Sequence, residues 1–141
     1  MAGRADELLG VLDLTGDTER TLVVDYSTGM RKKIGLATAL LHGPKLLVLD
    51  EPFEAVDPLS AATLRRILNR FVAGGGSVLL SSHVMTLVEQ LCDTVAVMAK
   101  GVVVAHGPLD DGRGDRSLEE AFVDLAGVEV GGAEGLSWLA S

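Results

Sequence analysis

Two carboxylates stand directly behind four aliphatic residues in the stretch Leu46-Leu47-Val48-Leu49-Asp50-Glu51-Pro52. A short continuous apolar run stopped by acidic residues and proline reads as a strand buried on both faces. In open parallel sheets, ligands bind beyond the carboxyl ends of the strands. A carboxylate there can hold Mg²⁺ directly or through water, and a second one beside it can orient and deprotonate an attacking water. Asp50 is therefore the candidate metal residue and Glu51 the candidate base. The same residues also fit an ordinary acidic turn after a strand.

Thirty-two residues beyond Glu51, His83 ends a second apolar run, Val78-Leu79-Leu80. A parallel sheet would bring it to the edge that carries Asp50 and Glu51, within reach of a terminal phosphate. Histidine at a strand end also serves as a plain hydrogen-bonding residue. Ahead of the carboxylates, Ser27-Thr28-Gly29 precedes a helical pattern and offers a hydroxyl, backbone N–H groups and the positive end of a helix dipole to a phosphate. A serine N-cap would look the same. Taken together, the order and spacing of the three groups favour a phosphate site.

The elements that must position these groups follow from periodicity. Leu8, Leu9, Val11 and Leu12 suggest a short helix, followed by a polar stretch from Thr15 to Arg20. Met30, Ile34, Ala37, Leu40 and Leu41 recur at helical spacing until Gly43-Pro44 stops them. A further helix is expected from about Leu59 to Val72, ended by Gly74-Gly75-Gly76, and another from Val84 to Leu91. Strand and helix thus alternate, which predicts an α/β fold with a mostly parallel sheet and flanking helices. Thr94 to Met98 and Val102 to Ala105 flank Lys100-Gly101 as a hairpin. Ser117-Leu118-Glu119-Glu120 opens a last helix, 117–125, with a capping box. The glycine-rich stretch 128–141 shows no period.

Composition narrows the class. The chain has 141 residues, 48% of them hydrophobic and only 4% aromatic, which suits an aliphatic α/β core rather than a disordered segment. No apolar run approaches the roughly 20 residues that span a bilayer, so a soluble chain is expected. The formal charge of −8 argues against nucleic-acid binding; the basic clusters Arg31-Lys32-Lys33 and Arg65, Arg66, Arg70 read as solvated helix faces. Cys92, the single cysteine, is expected as a small buried hydrophobe.

Tyr26-Ser27-Thr28-Gly29-Met30, Leu46 to Pro52, Glu54-Ala55-Val56-Asp57-Pro58 and Ser81-Ser82-His83 together resemble the ABC-type nucleotide-binding domain, over about residues 5–127. Tyr26 to Met30 is similar to its signature motif, usually written L-S-G-G-Q, whose serine and second glycine contact the γ-phosphate of ATP held by the opposite subunit. Ser27 and Gly29 match those positions, and Thr28 stands at the first glycine. The resemblance implies that Asp50 is the Walker B aspartate on Mg²⁺, Glu51 the base, Asp57 the D-loop aspartate at a dimer interface and His83 the switch histidine. It also implies a partial P-loop NTPase fold truncated at its N-terminal side. Residues 5–45 would form a helical subdomain, 46–127 the Walker B to closing elements, and 128–141 a tail. The Tyr-Ser-x-Gly-Met variant resembles bacterial exporters of drugs, antibiotics or polysaccharides.

By that resemblance the chain is an ATP-binding and ATP-hydrolysing subunit of an export-type ABC transporter. Its ligands would be ATP and Mg²⁺; its partners would be membrane-spanning transporter subunits and a second ATP-binding subunit. It would lie in the cytoplasm, peripheral at the inner face of the cell membrane. Departures are Thr28 and Met30 in the signature and Glu54 where the D-loop often has serine. No G-x-x-x-x-G-K-[ST] occurs in the sequence. That loop cradles the β- and γ-phosphates, so tight ATP binding and turnover are not expected of this chain alone. Apolar sheet edges and helix faces are expected to want a partner's cover. The alternatives are a non-catalytic module docking on an intact subunit, and an ABC-type ATPase head of a non-transport protein.

Overall fold

The computed structural model describes residues 2–109 together with Ser117, Leu118, Glu120, Phe122 and Val123. The chain divides after His83 into two compact units. In the first, α1 (Ala2–Val11) and the short α2 (Asp17–Arg20) precede a 3-10 turn, Val23–Asp25. The turn-forming stretch after α1 thus contains one helical turn. Leu12 and Leu14, on either side of Asp13 in left-handed conformation, are 0% and 1% exposed and anchor the core.

α3 (Thr28–Leu41) begins at Ser27, whose Oγ accepts the N–H of Met30 at 3.2 Å, and it stops where Gly43 takes a φ of 69°. A glycine at that place allows the left-handed turn that closes a helix. β1 (Leu46–Leu49) follows, and then α4 (Pro58–Ala73), capped by Asp57 with proline in its first turn. β2 (Ser77–Leu80) pairs with β1 in parallel, Leu46 opposite Ser77 and Leu49 opposite Leu80. Leu12, Leu14, Leu36, Leu47, Leu64 and Leu68 form the buried cluster between α1, α3, α4 and the sheet.

Helices cover one face of this sheet, and the expectation that β1 is buried on both faces fails. Leu47 is buried, whereas Leu46 and Val48 are 57% and 68% exposed, and Leu79, the partner of Val48 on β2, is 62% exposed on the same face. Because successive strand residues point to opposite faces, one uncovered face exposes alternate apolar residues of each strand.

In the second unit, α5 (Met85–Leu91) is followed by β3 (Thr94–Ala99) and β4 (Val102–Pro108), paired antiparallel with a bulge at Val97 and Met98. Lys100 and Gly101 both have positive φ, 51° and 82°, as a two-residue type I′ hairpin turn requires. Among the described residues the parallel pairing is thus confined to β1 and β2. Val88, Leu109 and Leu118 form the core of this unit, with half-buried Cys92 packed against them. Burial pushes the Cys92 thiol above its ordinary value. The capping box is present: Ser117 N–H donates to Glu120 Oε2 at 3.0 Å, and Glu120 N–H to Ser117 Oγ at 3.2 Å. The remaining residues assigned to the last helix, and the stretch 128–141, lie outside the described residues.

Candidate functional site: an acidic turn and a capped helix

Parallel pairing carries the ends of β1 and β2 to one edge, and the residues just beyond them interlock. Ser81 Oγ donates to Asp50 Oδ1 and accepts the Glu51 N–H at 3.0 Å. His83 Nδ1 lies 2.9 Å from Glu51 Oε1. This hydrogen bond, and after it the carboxylate's charge, raise the His83 pKa above its ordinary value. The imidazolium therefore donates to Glu51 over a wider pH range than a free histidine would. Glu51 itself sits at φ 43°, in the left-handed region, which lets the chain turn sharply after β1.

The groups drawn from the sequence are brought together here as two clusters. Asp50, Glu51 and His83 share the strand-end edge. Ser27, Gly29 and Asp57 meet at the first turns of α3 and α4: a methyl group added to Gly29 would stand 3.6 Å from Asp57 Oδ2 and 4.0 Å from Ser27 Oγ. Gly29 is buried, so a larger residue would press on that carboxylate. Asp57 Oδ1 accepts the Ser60 N–H at 2.9 Å. A hydrogen bond from the Ser60 side chain, then that from its backbone, hold the Asp57 carboxyl below the usual value. Thr28 is the first residue of α3 and presents its N–H at the positive end of the helix.

The segment entering α3 is held by backbone capture. Tyr26 is buried and its hydroxyl donates to the Thr18 carbonyl at 2.9 Å. Arg31 Nε donates to the Tyr26 carbonyl at 3.0 Å and Nη2 to that of Val24 at 3.3 Å. These contacts fix where the Ser27 hydroxyl and the helix N-terminus point.

Sequence reasoning missed the roles of Ser81, Ser60 and Lys32. Ser81 follows the last paired residue of β2, so the strand register was the signal that could have found it. Lys32 donates through Nζ to the Glu51 carbonyl. It stands four residues before buried Leu36, a helical spacing that puts both on the core side.

Asp50 and Ser81 offer hard oxygen donors, which is the chemistry Mg²⁺ takes, usually with one or two carboxylates, waters and substrate phosphates. Among the described residues no group of three or more His, Cys, Asp and Glu side chains forms a cage of its own. By its hard oxygens the pair Asp50 and Ser81 fits a cation that also takes waters and a phosphate. No helix among the described residues is long and apolar enough to cross a membrane.

A family model described as "AAA domain, putative AbiEii toxin, Type IV TA system" matches residues 7–89. The daunorubicin resistance ATP-binding protein DrrA3 of Streptomyces coeruleorubidus is 41% identical over 108 residues, 77% of this chain and 34% of that protein. The lantibiotic transport ATP-binding protein SrtF of Streptococcus pyogenes is 35% identical over 107 residues, 76% of this chain and 45% of that protein. A solved ATP-binding subunit of an ABC transporter superposes with a TM-score of 0.76 at 32% identity, covering 89% of this chain and 55% of its own. The chain spans 34% to 45% of the length of these two curated relatives.

Proposed function

Because the chain matches an AAA-domain family model and belongs to the ATP-binding proteins of ABC transporters, we propose that it forms the signature and catalytic-carboxylate part of an export-type ATP-hydrolysing subunit. The observation that carries this reading is the strand-end cluster, in which Ser81 braces Asp50 and Glu51 while His83 meets the Glu51 carboxylate. In this reading Glu51 accepts the proton of the attacking water, and His83 holds the Glu51 carboxylate and donates toward the terminal phosphate. Asp50 holds Mg²⁺, which neutralises phosphate charge when bound. Ser27, Thr28 and Gly29 present a hydroxyl and N–H groups to the phosphate of a nucleotide on a second ATP-binding subunit, and Asp57 lies at that interface.

The phosphate-cradling loop must then come from outside the present sequence, which contains no G-x-x-x-x-G-K-[ST]. The chain by itself turns over ATP negligibly in this account and works at the inner face of the membrane with membrane-spanning subunits. The relatives named for lantibiotic transport and daunorubicin resistance support an export role. The test is turnover by the assembly recovered from its native cell through a tag at Ser141. Glu51→Gln should leave ATP bound and lower kcat by about 10²- to 10⁴-fold, the usual contribution of a general base. Unchanged turnover would remove Glu51 from the chemistry. A non-catalytic docking module, the second reading, is favoured by the uncovered apolar face of β1 and β2; nucleotide-independent capture of an intact ATP-binding subunit, with no turnover gained, would support it.

A further inference from the structure

We propose that Lys32 is a positioning residue: its ammonium ties α3, the helix that begins at Ser27 and Gly29, to the carbonyl of Glu51 and so holds the catalytic carboxylate against His83. The inference deepens the ATPase reading and rests on it for the word catalytic; the tether itself does not depend on that reading.

Glu51 has a positive φ without being glycine. Such a conformation persists only where the surroundings over-determine it. Three contacts do so here. The Glu51 N–H is held by Ser81 Oγ at 3.0 Å, from the end of β2. The Glu51 carbonyl accepts the Glu54 N–H at 3.2 Å, within the turn itself. The same carbonyl accepts Lys32 Nζ, which arrives from α3, nineteen residues earlier in the chain. A charged donor makes the stronger kind of hydrogen bond, and this one is partly buried. Lys32 lines a cavity of about 180 Å³ with Leu36, Leu49, Asp50, Leu64 and Leu68. A long cationic side chain can lay its methylene stem along apolar surface while its head reaches a polar group.

The neighbouring cation is used differently. Arg31 grips the carbonyls of Tyr26 and Val24, before α3. Of two successive basic residues, one therefore fixes the helix to the segment that precedes it and the other fixes the helix to the acidic turn. Ser27 and Glu51 belong to separate clusters, and Lys32 joins the elements that carry them.

The experiment is nuclear magnetic resonance on the full chain labelled with ¹⁵N and ¹³C, without nucleotide. The unaltered protein should show a correlation across the hydrogen bond between Lys32 Nζ and the Glu51 carbonyl carbon. Lys32→Met should move that carbonyl resonance and the His83 ring nitrogens, and should speed amide exchange at Glu51 and Glu54 about tenfold relative to Leu64, as expected of local opening. Lys32→Arg, which can still donate, should restore both signatures. If Lys32→Met fails to fold, the correlation in the unaltered protein decides. Its absence, or Glu51 and His83 resonances indifferent to Lys32→Met, would overturn the proposal. A tether present while Glu51→Gln leaves turnover of the native assembly unchanged would instead fail the ATPase reading and keep the contact.

Discussion

His83 and Glu51 exchange more than geometry. The hydrogen bond that His83 donates to Glu51, followed by the carboxylate's charge, raises the His83 pKa above its ordinary value of 6.5. The folded state therefore binds the proton more tightly than the unfolded chain. The stabilisation is fully present below pH 6.5 and is lost as pH rises through the folded value. Histidine resonances titrated by nuclear magnetic resonance should show His83 titrating above 6.5, and Glu51→Gln should bring it back toward that value; a titration unchanged by the substitution would contradict the contact. Asp57 works in the opposite sense. Ser60 lowers its pKa, so its contribution is present above the ordinary carboxylate value of 3.8 and fades as pH falls through the lowered one. At this scale the sequence was informative about Asp50, Glu51 and His83, because strand ends in a parallel sheet gather at one edge. It assigned Ser81 no role and read Lys32 as part of a solvated helix face, because their contacts depend on strand register and on the reach of a long side chain across nineteen residues.

Caps and glycines set the elements. Ser27 accepts the Met30 N–H, and Asp57 accepts the Ser60 N–H. Ser27→Ala should cost about 1 kcal/mol, the usual worth of an N-cap, read as a shift in the urea midpoint; no shift would mean that the cap is replaced by solvent. In the core, Leu64 is 2% exposed between α4 and its neighbours. Leu64→Ala should cost about 2 to 5 kcal/mol by the same measurement, since the cavity left there closes only in part. Helix limits were legible in Ser27, Gly43 and Gly74, whereas the start expected at about Leu59 lies one residue earlier, where Asp57 caps α4 ahead of Pro58. The burial of β1 was not legible, because an aliphatic run reports apolarity and not how many of its faces are covered. Leu47 faces α3 and α4, while Leu46 and Val48 face outward on a sheet of two strands.

For the whole molecule that uncovered face has a consequence. Leu46, Val48 and Leu79 place adjacent apolar side chains in solvent, and such patches promote association. Sedimentation of the purified chain should show concentration-dependent association, and the double substitution Val48→Thr with Leu79→Thr should shift it toward monomer. A monodisperse monomer before substitution would contradict the expectation. The relatives named above extend well beyond the region matched here. An account in which this chain carries one share of an ATPase agrees with both facts.

The most direct test is a single substitution read two ways in the native assembly. Glu51→Gln keeps the shape of the acidic turn and removes the proposed base. The account predicts that ATP is still bound while turnover falls by about 10²-fold or more. Turnover equal to that of the unaltered assembly would show that the carboxylate braced by Ser81 and His83 is not where the water is activated.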